Sequence, residues 1–198
     1  MSRGINGRAK PAWRIASGAA HLSGAALAVS MLALAGCAGQ VETPEQPAFY
    51  VNMTQPGAKL DANMAASMIS GYRRNNGLGA VTVDPALSRL AEAQASAMAS
   101  RNKLDHNVKG TLTERIKASG YDARLAVENV SAGYHTLAEA FSGWRDSPPH
   151  RANMLKNGVT KMGISAVYAP NTKYKVFWAL IMADPDQPAT TSSAPPRQ

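Results

Sequence analysis

The 198-residue chain is predicted to fold as a mixed α and β domain, because helix-period segments come first and strand-period segments come last. Between residues 60 and 146, apolar residues recur at the spacing of one helix face. Two later segments alternate apolar residues with others, which is typical of strands. Hydrophobic residues make up 45% of the chain, enough for a core.

The first helix is predicted from apolar residues at every fourth position, followed by the turn-forming residues of 75–77. Its stripe consists of Leu60, Met64, Met68 and Tyr72. In the second helix, Asp84 can cap and Pro85 occupies the first helical position, where a missing N–H costs nothing. The apolar face that follows comprises Leu87, Leu90, Ala91, Gln94 and Met98.

Two capping boxes predict the next two helix starts. Thr111 with Glu114 opens a helix that Gly120 can stop. Thr136 with Glu139 opens another, which should run to about residue 146 because prolines 148–149 end it.

The two predicted strands cover residues 161–168 and 174–182, close enough in sequence to pair as an antiparallel hairpin. We expect one face of the second strand to carry Tyr174, Val176, Trp178, Leu180 and Met182.

Residues 1–37 are predicted to be a lipoprotein signal peptide, because a basic start precedes an Ala-rich apolar run. The run ends in Leu-Ala-Gly-Cys, which resembles a bacterial lipobox, and Cys37 is the only cysteine in the chain. Acylation of Cys37 would anchor the protein to a membrane. The alternative is a free thiol at the end of a membrane anchor. Ala38 resembles the outer-membrane sorting pattern, provided that the host is Gram-negative.

The rest of the chain divides by composition. Residues 38–59 contain three prolines and no sustained period, so we expect a flexible tether. The domain should span residues 60–185, and the Pro/Ser/Thr-rich residues 186–198 should be a disordered tail.

The net charge of +8 does not indicate nucleic-acid binding. Four of the 21 basic residues precede residue 37, where no acid occurs, which leaves 17 basic against 13 acidic residues, a balance of +4. These are scattered, with 73–74 as the only adjacent basic pair. Such a distribution is typical of a solvated surface.

Three polar residues outside the helix caps are candidates for chemistry: His106, Glu128 and His150. Glu128 lies among apolar residues, where a free carboxylate is costly to bury. Two imidazoles and a carboxylate brought together could bind a divalent metal or transfer protons. Each of the three could equally be a hydrogen-bonded structural residue. His135 precedes a cap residue, and we expect it to be exposed.

Several motifs together resemble the CAP superfamily of cysteine-rich secretory proteins, antigen 5 and pathogenesis-related 1 proteins, in its bacterial SCP-domain branch. The motifs are LDH at 104–106, AVENVSAG at 126–133, the WRDSPPHRANML run at 144–155 and YKVFWALIMADP at 174–185. Residues 72–99 resemble the first two helices of the family. The resemblance covers nearly all of 60–185.

The resemblance implies an α+β fold, a three-layer α-β-α sandwich of the CAP/SCP type with a central, mainly antiparallel sheet. It also implies a groove in which His106, Glu128 and His150 match two histidines and one of two acidic residues. Ser147 occupies the position of the second acid. With one carboxylate fewer, no cofactor is certain; the resemblance allows a weakly bound divalent metal, which could be zinc, magnesium or calcium. A second departure is Leu180, near a position where many bacterial members carry glutamine.

In this groove, prolines 148–149 are expected to form a rigid corner that points His150 inward. Arg151 should contact loop carbonyls, and Asn153 should cap or bridge nearby. Trp144 and Phe141, three apart on one helix, are expected in the core.

The sequence leaves three functions open. The first is a groove-binding module, anchored through Cys37, for a small lipid, a metal or a cell-wall component. The second is a metal-assisted hydrolase using His106, Glu128 and His150, although no serine lies in a G-x-S-x-G elbow. The third is a structural or regulatory envelope protein without ligand. The oligomeric state is left open.

Overall fold

A four-stranded sheet lies between two layers of helices in the computed structural model, which describes residues 46–185. Residues 1–45, including Cys37, and 186–198 lie outside the described residues, so the signal-peptide, lipidation and tail predictions stay predictions. The helices are α1 (Ala62–Asn75), α2 (Pro85–Ser100), α3 (Leu112–Ala118), α4 (Leu137–Asp146) and α5 (Pro148–Met154). The strands are β1 (Thr82–Val83), β2 (Ala123–Ala132), β3 (Lys161–Tyr168) and β4 (Val176–Pro185). This is the predicted three-layer α+β sandwich.

The sheet has the order β1-β3-β4-β2 and is mostly antiparallel. Only β1 pairs in parallel, with β3. The predicted hairpin is confirmed, since β3 and β4 pair antiparallel from Lys161 opposite Ala183 to Tyr168 opposite Val176.

Strand β4 forms the centre of both cores, because alternate residues of a strand point to opposite faces. Val176, Trp178, Leu180 and Met182 pack in one core with α1, α4 and α5. Phe177, Ala179, Ile181 and Ala183 pack in the other core with α2.

Tyr174 was predicted on the Val176 face, and this is wrong. Its ring lies in the opposite core, edge-on to Phe177 with centroids 5.8 Å apart. The intervening Lys175 has φ +67°, which breaks the strand alternation between the two residues.

Helix α1 starts after its cap Asp61, so Leu60 precedes the helix. The predicted stripe of Met64, Met68 and Tyr72 is only partly buried. The fully buried face lies one position further on and consists of Ala65, Ala66, Ile69, Ser70 and Arg73. Small side chains and one arginine on that face obscured the pattern.

Helix α2 begins and packs as predicted. The Asp84 carboxylate accepts from the N–H groups of Ala86 and Leu87, and Pro85 takes the first position. The helix lies so close to β3 that a Cβ on Gly163 would come within 2.1 Å of the backbone of Leu87. Glycine is therefore required at this point of the sheet.

Both predicted capping boxes are present, at Thr111 with Glu114 and at Thr136 with Glu139. Gly120 follows α3 with φ +71°, as expected for a helix stop. The expectation at 148–149 needs correction. The prolines do not form a corner loop but the first turn of α5, where missing N–H groups are harmless, so His150 lies inside a helix.

Three features were not predicted. The AVENVSAG motif lies on the ten-residue strand β2 except for its last residue, and β1 is a short edge strand. In addition, residues 46–59 pack against the domain: Met53 is buried and its N–H donates to the carbonyl of His135. The packed unit thus begins before the expected boundary at 60. Within residues 46–185, no helix is long and apolar enough to cross a membrane.

Candidate functional site

Strand β2 separates the candidate residues into two clusters. Glu128 and Asn129 are neighbours on this strand, so their side chains point to opposite faces. Glu128 contacts Arg115 of α3, on the same side as α2, whereas Asn129 contacts α5. We call these the ionic cluster (Glu128, Arg115 and His106) and the neutral cluster (Asn129, Ser147, His150 and Asn153).

In the ionic cluster, both carboxylate oxygens of Glu128 are engaged. Oε1 accepts from Nη2 of Arg115 at 2.8 Å, and Oε2 lies 2.9 Å from Nδ1 of His106. The Glu128 side chain is 3% exposed and that of Arg115 8%, so the pair is shielded from water. A buried pair of this kind is expensive to break, because either partner alone leaves a buried charge.

His106 is the exposed member of the ionic cluster, with a side chain 52% accessible. Its hydrogen bond to Glu128 raises the pKa of the imidazole, against the opposing effect of partial burial. Because a carboxylate only accepts, Nδ1 must carry the proton. The other ring nitrogen, Nε2, is thereby left for an external partner.

Gln94 of α2 holds the loop that carries His106. Its amide Nε2 donates to the carbonyls of Asp105 and His106 at 2.9 and 3.0 Å. Arg115 Nη2 reaches the same His106 carbonyl at 3.4 Å. Helix α2 thus positions the loop that carries the imidazole, while α3 supplies the cation that pairs with Glu128.

In the neutral cluster, His150 lies in the first turn of α5. Its Nδ1 is 2.8 Å from the hydroxyl of Ser147, the residue that the sequence resemblance assigned to the second acid position. Ser147 makes no side-chain cap of α5, so its hydroxyl is available to the ring. Burial, and secondarily the charge of His106, lowers the pKa of His150. The two histidines are linked through β2, because His106 contacts Glu128 and the next residue, Asn129, bonds the carbonyl of His150.

Helix α5 is held in place by amides. Asn129 donates to the carbonyl of His150 at 3.0 Å. Asn153 donates to the Glu128 carbonyl at 2.8 Å and the Asn129 side-chain oxygen at 2.9 Å, which confirms the expected bridge. Arg151 donates to a backbone carbonyl at the end of α4, that of Arg145 at 3.3 Å.

The far end of α5 is fixed by Arg73, which sequence reasoning did not single out. Its guanidinium is buried and donates only to carbonyls, those of Gly79, Met154, Lys156 and Val159. Desolvation lowers its pKa. The last carbonyls of a helix form the negative end of its dipole, so this cation stabilises α5.

The expected arrangement, with three side chains sharing one ion, does not match this geometry. Among residues 46–185, no group of three His, Cys, Asp or Glu side chains is placed to hold a metal ion. Glu128 is occupied on both oxygens, and the two imidazoles keep only their Nε2 atoms free of the contacts described above. Two nitrogen donors fall short of the three protein ligands of a catalytic zinc site, and they suit neither magnesium nor calcium. The residues present therefore do not fit a resident metal.

The remaining predicted residues lie where expected. His135 is exposed, and Glu139 is used by its capping box. Trp144 is 1% exposed, and Phe141 packs edge-on to Tyr72. Leu180 is buried opposite Asn129.

Arg115 is the most important site residue that the sequence reasoning missed. A buried carboxylate needs a cation or a proton, so the apolar surroundings of Glu128 already required such a partner. The sequence could not show which of the basic residues supplies it.

Comparison with known proteins agrees with the fold. The chain is 31% identical over 102 residues to the uncharacterized protein YkwD of Bacillus subtilis, and this match spans 50% of the chain and 40% of YkwD. An outer surface protein of Borrelia burgdorferi superposes with a TM-score of 0.58 at 20% identity, over 64% of this chain and 94% of that one. An extracellular SCP-domain protein of Bacillus anthracis gives 0.53 at 23% identity, over 61% and 39%. A model of the cysteine-rich secretory protein family matches residues 66–182, more than half of the chain, so the chain belongs to the CAP family.

Proposed function

We propose that this chain is a lipid-anchored cell-envelope protein whose CAP domain is a binding module. The ligand is a small lipid or another envelope component that presents an acceptor oxygen to His106 and His150. The single observation that carries this proposal is the internal neutralisation of Glu128 by Arg115 and His106, at 2.8 and 2.9 Å.

This neutralisation argues against the hydrolase alternative. A general base must reach the proton it abstracts, yet both oxygens of Glu128 already accept hydrogen bonds within the protein. Arg115 also lies 2.8 Å from Oε1 of Glu128, so the carboxylate is paired inside the protein and not presented to a substrate. Binding and positioning remain as uses for the two imidazoles.

Ser147 is the other candidate for a catalytic role, since its hydroxyl lies 2.8 Å from His150. A serine nucleophile needs N–H donors to stabilise the oxyanion, often at the helix start that follows it. Here the next two residues are Pro148 and Pro149, which have no N–H. Ser147 is therefore better suited to orienting His150 than to attacking a substrate.

The two imidazoles suit a ligand that accepts hydrogen bonds. Glu128 fixes the proton of His106 on Nδ1, and the raised pKa favours the ring with a second proton, on Nε2. A phosphate or carboxylate head group would receive a charge-assisted hydrogen bond from that atom. Because β2 is an edge strand of the sheet, a ligand lying across this edge would receive a second, neutral contact from His150.

The envelope part of the proposal rests on Cys37 at the end of its lipobox-like sequence. Metabolic labelling with a palmitate analogue, followed by membrane fractionation, tests it. The wild type should be labelled and pellet with membranes, whereas Cys37→Ala should be unlabelled. Labelling and normal sedimentation of Cys37→Ala would refute the anchor.

The binding part can be tested with monomeric dihexanoyl phosphatidylglycerol as the probe and imidazole NMR of the full chain as the readout. The resonances of His106 and His150 should shift, and His106→Ala and His150→Ala should each weaken the response. His135→Ala is the matched control, because that histidine is exposed and outside both clusters. Unchanged binding in both site variants would refute the proposal, as would lipid hydrolysis that disappears in His106→Ala.

A further inference from the structure

A cleft on the opposite edge of the sheet from β2 has the features of a second binding site. It has a volume of about 300 Å³ and runs between one face of α1 and the edge strand β1. Asn63, Ser67 and Arg74 line the helix side, and residues 80–83 line the strand side. We call it the edge cleft. Its volume lies at the lower end of the range for ligand sites.

The strand side of the edge cleft presents main-chain hydrogen-bonding groups. Thr82 and Asp84 direct their N–H groups to β3, bonding the carbonyls of Thr160 and Met162 at 3.0 and 2.8 Å. Because strand residues alternate, the N–H and C=O of Val83 are turned away from β3, on the side of the cleft. An exposed strand edge of this kind is a template for another extended chain.

Val81 lies two residues before Val83, so its N–H and C=O point in the same direction. Both of these groups are hydrogen-bonded. The hydroxyl of Ser70 on α1 accepts from the Val81 N–H at 3.0 Å and donates to its C=O at 3.1 Å. One side chain thus takes the place of a neighbouring strand at Val81. Within the described residues, no side-chain hydrogen bond of this kind is made at Val83.

The helix side of the edge cleft carries one cation, Arg74. Arg74 is exposed and makes no ion pair with any acidic residue between 46 and 185. The ammonium group of Lys161 lies 3.1 Å from the Thr82 hydroxyl and adds a second cation beside the cleft. The lining contains no acidic side chain. An anionic occupant is therefore favoured electrostatically.

We propose that the edge cleft binds an extended acidic peptide, which pairs its main chain with Val83 and places a carboxylate on Arg74. The free N–H and C=O of an edge strand favour a peptide over a sugar or a simple anion, because only a peptide supplies both complementary groups at strand spacing. The guanidinium of Arg74 sets the preference for acidic side chains.

The test uses a capped pentapeptide of alternating valine and glutamate, titrated into the full chain labelled with ¹⁵N. Amide shifts should concentrate at residues 80–83 and along the lining face of α1. Arg74→Gln should weaken the affinity about tenfold, the effect of losing a charge-assisted hydrogen bond. The matched control is Arg89→Gln on α2, in the other helix layer, which should leave the affinity unchanged. Melting curves check that both variants fold.

Three comparison ligands decide between occupants. The same peptide with glutamine in place of glutamate should bind more weakly, and the glutamate peptide with N-methylated amides should lose binding. Sodium phosphate alone should not reproduce the shifts at Val83. The proposal is overturned if the N-methylated peptide binds as well as its parent, if phosphate gives the same shifts, or if Arg74→Gln binds like the wild type.

Discussion

The two clusters on either side of β2 achieve the same result with different chemistry. Each fixes one imidazole through its Nδ1: the ionic cluster with a carboxylate, the neutral cluster with a hydroxyl. The ionic cluster depends on a buried charge pair, whereas the neutral cluster depends on amides that bond backbone carbonyls. The hydrogen bond to Glu128 raises the pKa of His106 and favours its charged form, whereas burial lowers the pKa of His150 and favours its neutral form.

The difference teaches that position within the fold, rather than residue type, decides what each histidine can do. Glu128 and Asn129 differ by one place on β2, yet they serve helices on opposite faces of the sheet. A substitution on one face should therefore affect one imidazole more than the other. The following predictions use that asymmetry.

The largest effect is expected on the ionic side. Arg115→Met should destabilise the fold by about 3–5 kcal/mol, because it leaves the buried charge of Glu128 unpaired. Arg145→Met is the control: it removes the pair between Arg145 and Asp146, whose side chains are 45% and 67% exposed. That loss should be much smaller, because an exposed ion pair is screened by water. Chemical denaturation measures both, and equal losses would contradict the buried charge pair.

A smaller effect is expected on the neutral side. Asn153→Ala should cost about 1–3 kcal/mol, because the Glu128 carbonyl and the Asn129 amide oxygen lose a donor. Asn63→Ala, an exposed asparagine also on a helix, controls for helix propensity and should change little. An equal loss of unfolding free energy in Asn153→Ala and Arg115→Met would contradict this prediction, because removing an uncharged bridge should destabilise the fold less than leaving a buried charge unpaired.

The helix caps should contribute less again. Thr111→Ala weakens the start of α3, which carries Arg115, and Thr136→Ala weakens the start of α4. Each should lower stability by about 1 kcal/mol. The two effects should add if the caps are independent. Denaturant midpoints of the two variants and the double variant test this, and unchanged midpoints would mean that the caps contribute nothing.

The smallest effects on stability should come from the imidazoles, although their titration by NMR is the most direct test of the asymmetry. His106 should titrate above the ordinary value of 6.5 and His150 below it. Glu128→Gln should lower the pKa of His106, since it removes the largest cause of the shift. Ser147→Glu should raise the pKa of His150 by making its partner a carboxylate. Identical titration of the two histidines in the wild type would contradict the model of two clusters.

The same pKa shifts give opposite pH dependences of stability. The pKa of His106 is raised in the fold, so its contribution is fully present below about 6.5, the unfolded value, and is lost as pH rises through the folded pKa. The pKa of His150 is lowered, so a penalty develops as pH falls from the unfolded value through the folded one. Because the two contributions oppose each other, His106→Gln and His150→Gln should change the pH profile in opposite directions.

Local patterns in the sequence predicted most of the helices correctly. A cap and the residues bonded to it lie within one turn, so Asp84, Thr111 and Thr136 could be assigned without knowledge of the fold. The hairpin strand β3 was also predicted with its bounds, because its neighbours in sequence are its neighbours in space. The resemblance of several motifs to CAP proteins, which the family match confirms, identified the layered architecture.

The strand β2 could not be found in the same way. It pairs with β4, more than 40 residues later in the chain, and its buried residues include a glutamate, an asparagine and a serine. Polar residues of this kind do not produce the alternation that predicts a strand. The tertiary structure makes Glu128 and Asn129 acceptable in the interior by supplying partners from α3 and α5, whereas the Ser131 hydroxyl is buried without a hydrogen bond.

By itself, the sequence determined which residues begin the helices, which strands form the hairpin and which three side chains were candidates for chemistry. Only the tertiary structure decided that these candidates form two clusters, that Arg115 neutralises Glu128, and that prolines 148 and 149 begin a helix. The physical reason is the separation in sequence between the interacting residues. Capping depends on neighbours in sequence, whereas the partner of a buried charge is brought to it by packing of distant elements, here Arg73 with α5 and Arg115 with β2.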